Sequence, residues 1–252
     1  LDSFYEPNVI GTENIISACK EHGIKKLVYT SSPSVVFNGT DMEGVDESVP
    51  YADTYEAFYP QTKALAEQAI LAANSPNLAT VALRPHLIWG PGDPHLVSRI
   101  IDRGSRGKLR RIGKDEKKVD SVYVDNAADA HILAFNQLKP GSPCSGKAYF
   151  ISNNEPIPVW KLVNKILAAG GHPPVEKTIS TKQAMRIATM MEKIYRLFKS
   201  ESEPLLTRFV VKELSTSHWF DLSAAENDLG YAPAVSVDEG LTRLKDWFRN
   251  RN

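Results

Sequence analysis

Two side chains spaced four residues apart could carry proton-transfer chemistry in this sequence of 252 residues. Tyr59-x-x-x-Lys63 puts a phenol and an ammonium about one turn apart on the same face of a helix. A tyrosine with its ordinary pKa of about 10 is a poor base at neutral pH, and a neighbouring positive charge lowers that pKa. Proton transfer to or from a substrate oxygen then becomes feasible. Tyr59 and Lys63 are therefore candidate catalytic residues.

The spacing alone does not identify a catalytic pair, because Tyr195-x-x-x-Lys199 repeats it elsewhere in the chain. The two pairs differ in what precedes them. Upstream of Tyr59, a strand-like run ends in hydroxyl-bearing residues that include Ser32, at the sheet edge where parallel folds bind ligands. A hydroxyl there can hydrogen-bond a substrate oxygen, or it can only cap the strand end. Ser32 is the third candidate catalytic residue.

Helical and strand-like segments alternate through the first part of the chain. Thr12 is expected to cap the first helix and Gly23 to end it. The predicted segments are a helix over 12–22, a strand over 26–31, a helix over 59–73 and a strand over 78–83. This alternation is typical of an α/β fold, a doubly wound parallel sheet covered by helices.

The composition of the sequence changes after residue 92, where glycine and proline become more frequent. The pattern predicts a short strand at Lys147–Ile151, a helix at Val159–Ala169 and an amphipathic helix at Ala184–Phe198. We expect residues 1–92 to belong to the sheet domain. Residues 93–252 should form mainly a smaller α/β lobe that binds substrate, with some segments returning to the sheet.

The composition excludes several classes of function. Thirty basic and thirty acidic residues give a net charge of zero, so nothing favours nucleic acid as a partner. No apolar run approaches the roughly 18 residues that a transmembrane helix requires. Cys19 and Cys144 have no partner at redox or metal-ligand spacing, which favours a reducing compartment and predicts a cytoplasmic protein. His86 has no second ligand nearby in the sequence, and we expect no metal site.

Four motifs occur in an order that resembles the extended short-chain dehydrogenase/reductase family. They are Asn8-x-x-Gly11-Thr12, Leu27-Val28-Tyr29-Thr30-Ser31-Ser32, Tyr59-x-x-x-Lys63 and Arg84-Pro85-x-x-Ile88-Trp89-Gly90-Pro91. The chain is most similar to the branch that contains 3β-hydroxysteroid and sterol-4α-carboxylate 3-dehydrogenases, and within it to bacterial reductases of 2-alkyl-3-oxoalkanoates. The resemblance implies a Rossmann-like fold and an NAD or NADP cofactor, with NADP favoured.

The resemblance also implies roles for individual residues. Tyr59 would be the general acid in reduction, Lys63 would lower its pKa and hold the nicotinamide ribose, and Ser32 would orient the carbonyl. Besides Tyr59 and Lys63, the residues expected to contact the cofactor are Asn8, Ser31, Pro85, His86 and Ile88. The residues expected to contact the substrate are Ser34, Trp89 and Arg208, of which Arg208 could instead form a structural salt bridge.

The implied reaction is reduction of the 3-keto group of a lipid-like 2-alkyl-3-oxoalkanoate. The alternatives are oxidation of a 3β-hydroxysteroid or sterol carboxylate, a nucleotide-sugar epimerase or dehydratase, and a non-catalytic dinucleotide-binding protein. The resemblance further implies a homodimer formed partly by the helix over 12–22 and the helix that carries Tyr59, and association with other enzymes of the same pathway.

The beginning of the chain departs from the family pattern. Dinucleotide binding uses a glycine-rich turn at a helix N-terminus, followed about 20 residues later by a residue that contacts the ribose. Neither feature is present ahead of Tyr59. The resemblance implies about three further strand–helix units, roughly 90 residues, ahead of Leu1.

Overall fold

The computed structural model describes residues 2–198, 204 and 206–251, which form a mixed α/β structure. The helices are α1 (Asp2–Tyr5), α2 (Gly11–Glu21), α3 (Phe58–Ala72), α4 (Leu96–Ser105), α5 (Val124–Gln137), α6 (Val159–Ala169), α7 (Thr181–Leu197), α8 (Arg208–Glu213), α9 (Ser223–Leu229) and α10 (Val237–Arg249). The strands are β1 (Lys26–Thr30), β2 (Met42–Val45), β3 (Ala79–Pro85), β4 (Ile88–Trp89), β5 (Arg111–Ile112), β6 (Lys118–Val119), β7 (Val122–Tyr123), β8 (Lys147–Ile151), β9 (Ile157–Pro158), β10 (Thr178–Ile179) and β11 (His218–Phe220).

The central sheet has the strand order β1-β3-β8, and both pairs of neighbours are parallel. Every residue of β3 is buried, as expected for the middle strand of a sheet covered on both faces. Thr30 of β1 pairs with Leu83, and Pro85 at the end of β3 pairs with Ile151. The carboxyl ends of the three strands therefore meet at one edge, where ligands bind in such folds. The predicted doubly wound α/β fold is confirmed.

The predicted elements agree closely with the structure. The strand predicted at Lys147–Ile151 is β8 and joins the central sheet, and the helix predicted at Val159–Ala169 is α6. The amphipathic helix predicted at Ala184–Phe198 is α7, which starts three residues earlier. Lys199, the partner proposed for Tyr195 by spacing, lies outside the described residues.

The prediction that Thr12 caps the first helix is wrong. Helical backbone runs from α1 through a π turn at Glu6–Ile10 directly into α2. The hydroxyl of Thr12 donates to the carbonyl of Asn8 (2.6 Å), one turn back. The helix does end where predicted, because Gly23 adopts a left-handed backbone (φ +64°) that favours glycine.

Two large hydrophobic clusters organise the chain. One surrounds the central sheet and includes Val81, Leu83, Tyr149 and Phe150. The other joins β4, α4, α6, α7 and α10 around residues such as Trp89. Segments from residues 93–252 contribute to both clusters, and the proposed division at residue 92 stays a prediction.

A second, four-stranded sheet with the order β2-β11-β6-β9 lies beside the carboxyl edge of the central sheet. Strand β11 pairs in parallel with β2 and β6, and it carries His218 and Phe220. Phe220 stacks on Phe150 of β8 with ring centroids 4.1 Å apart. This stacking brings β11, and the short helix α8 that precedes it, against the edge of the central sheet.

Among the described residues, no helix has both the length and the apolar character needed to cross a membrane.

Candidate active site

Ser32 follows the last residue of β1 and lies at the carboxyl edge of the central sheet. Its backbone is extended, and a single 3₁₀ turn at Pro33–Val35 begins directly after it. Ser32 Oγ accepts hydrogen bonds from the backbone NH (3.2 Å) and the hydroxyl (2.9 Å) of Ser34. Because both of these bonds use the oxygen as acceptor, the Ser32 proton is free to be donated to another oxygen.

Tyr59 lies in the first turn of α3, whose start is favoured by Pro60 at an early helical position. Tyr59 as a whole residue is 40% exposed, so part of it reaches the protein surface. Burial of the phenol raises the pKa of Tyr59, and a hydrogen bond from Ser32 opposes that effect. Helix α3 packs against the turn that follows Ser32, so Ser32 and Tyr59 lie at the same edge of the sheet, and their catalytic roles stay predictions.

Lys63, one turn further along α3, is directed at β1. Its Nζ donates to the hydroxyl of Tyr29 (2.6 Å) and to the backbone carbonyl of Thr30 (2.6 Å). The ammonium also lies 4.2 Å from the centre of the Tyr29 ring. Burial lowers the pKa of Lys63 to about 8, and the charge of Glu67 opposes this shift.

The expectation that Lys63 lowers the pKa of Tyr59 is not met in this arrangement. The pKa of Tyr59 is raised, chiefly by burial, and Lys63 is not among the influences on it. The reason is geometric, since the ammonium is bound to Tyr29 and Thr30 rather than to Tyr59. At neutral pH Tyr59 therefore carries its proton, which is the form required to donate one.

Asn8 connects the π turn to the helix that carries the candidate residues. Its amide Nδ2 donates to the hydroxyl of Thr62 (2.9 Å), the residue immediately before Lys63. Thr62 in turn donates to the carbonyl of Phe58 (2.9 Å). The side chain of Asn8 therefore supports α3 in this structure, and its predicted contact with a cofactor stays a prediction.

A buried ion pair fixes α3 to the central sheet. Arg84 of β3 bonds Glu67 of α3 through Nη2 to Oε1 (2.6 Å) and through Nε to Oε2 (3.0 Å). Glu67 is fully buried and Arg84 is 4% exposed. Tyr51 donates a further hydrogen bond to Glu67 Oε1 (2.7 Å). Glu67 lies one turn after Lys63, so this pair determines where α3 places Lys63 and Tyr59.

The predicted cofactor residues form the rest of the sheet edge. The hydroxyl of Ser31 is buried and has no hydrogen-bond partner among the described residues. Pro85 ends β3, and Ile88 is 38% exposed at the start of β4. Between them Leu87 has a left-handed backbone (φ +46°), a strained conformation that in non-glycine residues clusters at ligand sites. A buried hydroxyl without a partner and a strained turn at this edge fit the binding of a polar cofactor.

His86 pairs with a residue that the sequence did not single out. His86 Nε2 lies 2.7 Å from His218 Nδ1, and His218 Nε2 lies 2.7 Å from the carbonyl of Glu213. A carbonyl can only accept, so His218 is protonated on Nε2 and His86 donates from Nε2 to His218. Burial lowers the pKa of His218 and holds that of His86 well below its usual range. Both rings are therefore neutral at pH 7.

The three residues predicted to contact substrate have different surroundings. Ser34 is buried and bound to Ser32, so it lies within the site. Trp89 is fully buried in the second cluster, with its indole NH donating to Ser121 (3.1 Å), which makes it a core residue. Arg208 Nε lies 2.8 Å from Glu192 Oε2, so the salt-bridge interpretation of Arg208 describes this structure.

Tyr29, Glu213 and His218 border the site and were not predicted as site residues. Tyr29 stood in a quoted motif, whereas His218 lies 132 positions after His86 and outside the quoted motifs. Glu213 ends α8, and no pattern in the sequence marks it. Burial raises the pKa of Glu213 to about 7, and its charge is one of the influences that raise the pKa of Tyr59.

A hydroxyl pair, a Tyr-x-x-x-Lys helix and a parallel sheet place this chain among the dehydrogenases and reductases of the Rossmann-fold type. The sequence pattern of the 3-beta hydroxysteroid dehydrogenase/isomerase family matches residues 1–183. The chain belongs to that family.

Three relatives indicate its position within the family. It is 54% identical to a 2-alkyl-3-oxoalkanoate reductase of Stenotrophomonas maltophilia, over 97% of this chain and 74% of the relative. A reductase of the same name from Shewanella oneidensis is 51% identical over 97% of this chain, which spans 65% of that relative. A sterol-4-alpha-carboxylate 3-dehydrogenase of Mus musculus is 37% identical, over 98% of this chain and 70% of the relative.

Solved structures show the same fold at lower identity. A UDP-glucuronic acid 4-epimerase from Bacillus cereus in complex with NAD superposes with a TM-score of 0.70 at 20% identity, covering 97% of this chain and 68% of that one. RMD from Pseudomonas aeruginosa complexed with NADPH superposes with a TM-score of 0.67 at 15% identity. The match covers 98% of this chain and 74% of that one. These likenesses show that the chain shares its fold with those two proteins.

Proposed function

We propose that the gene product containing this chain is an NAD(P)H-dependent reductase that converts a 2-alkyl-3-oxoalkanoate to the 2-alkyl-3-hydroxyalkanoate. The observation that carries the proposal is the position of Ser32, whose proton is free, directly after β1 at the carboxyl edge of the sheet, next to the turn against which the helix of Tyr59 packs. Identity of 54% and 51% to two reductases of that name supports this substrate. The lower identity, 37%, to a sterol dehydrogenase makes a sterol carboxylate the second candidate.

The roles proposed for the two residues follow from their protonation. Ser32 donates a hydrogen bond to the 3-keto oxygen, because both hydrogen bonds from Ser34 use its own oxygen as acceptor. Tyr59, whose pKa burial raises, holds a proton at neutral pH and transfers it to the same oxygen as that oxygen gains negative charge. The carbonyl oxygen becomes a hydroxyl, and the phenolate recovers its proton from solvent.

The cofactor is the source of the electrons. When bound, a reduced nicotinamide would provide the hydride, and the protein would supply position and a proton. Ser31, with its unpartnered buried hydroxyl, and Lys63 are the residues we propose to hold it, together with Asn8 and the segment Pro85–Ile88. We propose NADPH as the preferred donor.

The test follows oxidation of NADPH and of NADH by the intact gene product. A 2-alkyl-3-oxoalkanoic acid and a 3-ketosteroid are offered side by side. We expect turnover of the acid, while turnover of the steroid alone would favour the second candidate. Tyr59→Phe should reduce kcat by about 100-fold or more, with nucleotide binding, measured by fluorescence, unchanged.

Tyr195→Phe provides the matched control, because Tyr195 has the same spacing to a lysine and lies on α7. It should keep the activity of the parent. Equal activity of Tyr59→Phe and the parent would contradict the proposed function.

We also propose that the protein is a homodimer. Ile15 of α2 and Phe58 and Leu65 of α3 are large apolar side chains that are 53%, 49% and 42% exposed. Burial of these side chains against a second copy would remove them from water. Light scattering of the intact gene product tests this, and a monomeric mass at micromolar concentration would contradict it.

A further inference from the structure

Helix α7 carries a continuous row of exposed apolar side chains. Ile187, Met190, Ile194 and Leu197 are between 39% and 79% exposed. Successive members are three, four and three residues apart, so they lie within about 80° of one another around the helix axis. We call these four side chains the apolar row. Large apolar side chains that are exposed together, rather than singly, mark a surface that contacts something else.

A different face of α7 holds the helix to the rest of the protein. Ala184 and Ala188 are fully buried in the second hydrophobic cluster. They lie about 120° around the axis from the apolar row. Glu192, on a third face, binds Arg208 of α8 (2.8 Å). The packing of α7 therefore leaves the apolar row at the surface.

Three basic side chains border the apolar row on the side away from the buried alanines. Lys182, Arg186 and Lys193 are exposed and lie within about 40° of one another, directly beside the row. Among the described residues, the bond of Glu192 to Arg208 is the only salt bridge that α7 forms. We call these three side chains the basic strip. The whole chain has a net charge of zero, so this strip is a local concentration of positive charge.

We propose that α7 binds to the surface of an anionic lipid membrane, with the apolar row among the acyl chains and the basic strip at the phosphate headgroups. A helix that combines an apolar face with lysine and arginine beside it lies in the plane of the membrane interface, with its apolar face buried about 5–10 Å deep. Bases near an anionic membrane surface add electrostatic attraction. The inference goes beyond the proposed function and does not depend on the reaction.

The arrangement of charge favours a lipid surface over a protein as the occupant. One flank of the apolar row is taken by the body of the protein at Ala184 and Ala188, and the other flank carries three like charges. A second copy of α7 packed on the row would bring its own basic strip close to this one, and the two strips would repel. A layer of phosphate groups next to a layer of acyl chains matches both the basic strip and the apolar row.

Helix α8 connects this surface to the candidate active site. Arg208 at its start is bound to Glu192 of α7, and Lys212 near its end is bound to Glu56 (2.7 Å), three residues before Tyr59. A membrane bound at α7 is thus one helix away from the site. This placement suits a substrate with long alkyl chains, which partitions into lipid.

The experiment measures sedimentation of the intact gene product with lipid vesicles. The vesicles contain phosphatidylcholine alone, or phosphatidylcholine mixed with phosphatidylglycerol, which is anionic. The parent should bind the anionic vesicles, bind the zwitterionic vesicles weakly, and lose affinity for the anionic vesicles when salt is added, because salt screens charges at a surface.

Variants of the two surfaces test their separate contributions. The triple variant Lys182→Gln/Arg186→Gln/Lys193→Gln should weaken binding to anionic vesicles about 100-fold. Ile194→Glu should weaken it about tenfold or more, because it removes buried apolar surface and adds a charge that the lipid repels. Ile132→Glu is the matched control, since Ile132 of α5 is also a largely exposed isoleucine, and it should bind as the parent does.

A fluorescent label measures insertion directly. Cys19 and Cys144 are buried, so a cysteine introduced by Ile194→Cys can be labelled selectively with a dye whose emission depends on polarity. The emission should shift to shorter wavelength on anionic vesicles. The same dye attached through Ile132→Cys should show no shift.

The inference is overturned if Ile194→Glu and Ile132→Glu bind vesicles equally, or if the parent does not bind anionic vesicles. A fall in the molecular mass of Ile194→Glu in lipid-free solution would assign the apolar row to a contact between copies and would also overturn it. Turnover measured without lipid separates the two proposals. A protein that reduces the 3-oxo acid but does not bind vesicles retains the proposed function, and one that binds vesicles without turnover retains only the membrane contact.

Discussion

The ammonium of Lys63 lies 2.6 Å from the phenolic oxygen of Tyr29, a residue of β1. The same ammonium lies 2.6 Å from the carbonyl of Thr30. Burial raises the pKa of Tyr29 above its usual value, so the phenol is neutral and offers a lone pair to the ammonium. The position of Lys63 is therefore determined by the sheet as much as by its own helix.

Lys63 should lose its proton at a lower pH than an ordinary lysine. Its pKa is lowered to about 8 by burial, so the neutral amine forms as the pH rises through that value. Acetylation of the protein without nucleotide, followed by mass spectrometry against pH, measures the midpoint. Lys117 serves as comparison, because its bond to Asp41 raises its pKa. Equal midpoints for the two lysines would contradict the burial of Lys63.

Tyr29→Phe should lower kcat about tenfold, the value of one lost hydrogen bond to a charged group, and leave KM for the acid nearly unchanged. The physical reason is that Lys63 loses one of its two fixed partners. Tyr55→Phe is the matched control, since it removes another half-buried hydroxyl, bound to the carbonyl of Val35 (2.8 Å). Equal kinetic effects of the two variants would show that Tyr29 only contributes to packing.

Breaking the buried pair Arg84–Glu67 should destabilise the protein strongly. Glu67→Gln leaves the guanidinium of Arg84 buried without a counter-charge, and we expect the free energy of unfolding to fall by about 3–5 kcal/mol. Urea denaturation measures the change. The double variant Glu67→Leu/Arg84→Met removes both charges and should lose less than the sum of the single variants. An additive double variant would mean that the two side chains do not interact.

The pair His86–His218 should make the protein sensitive to acid. Burial depresses the pKa of both rings in the folded state, so the unfolded state binds protons first as the pH falls through about 6.5. Stability due to the neutral rings is therefore present above that pH and lost below it. Relative to the parent, the free energy of unfolding of His86→Gln should therefore rise by up to about 1.4 kcal/mol for each pH unit below 6.5.

Urea denaturation at pH 5, 6 and 8 tests this expectation. His95→Gln is the control, because His95 is exposed, and it should follow the parent at each pH. A constant difference between His86→Gln and the parent over this range would mean that the ring is not held neutral by the fold.

The alternating segments predicted the architecture well, because periodicity depends on local sequence. The strand at Lys147–Ile151 and the helix at Val159–Ala169 have the predicted bounds. Ser32 and Tyr59 were predicted with Lys63 from the order of their motifs, and Ser34 was expected to contact substrate. The structure places Ser34 in hydrogen-bond contact with Ser32 (2.9 Å), and the roles of these residues stay predictions.

Long-range contacts could not be predicted in the same way. The bond between Lys63 and Tyr29 depends on how α3 packs on the sheet, which the sequence does not show. The four-residue spacing therefore predicted a contact of Lys63 with Tyr59 instead. Trp89 stands in a motif next to the site, yet its side chain points into the second core. Glu213 reaches Tyr59 only through the fold, from more than 150 positions along the chain.

The π turn at Glu6–Ile10 holds one residue more than an α-helical turn would. The extra residue sets the rotation of the helix about its axis, so that the amide of Asn8 donates a hydrogen bond to the hydroxyl of Thr62. Removing a single residue from this turn would rotate everything ahead of it by about 100° about the helix axis. Insertions and deletions here should therefore be far less tolerated than substitutions at its exposed positions.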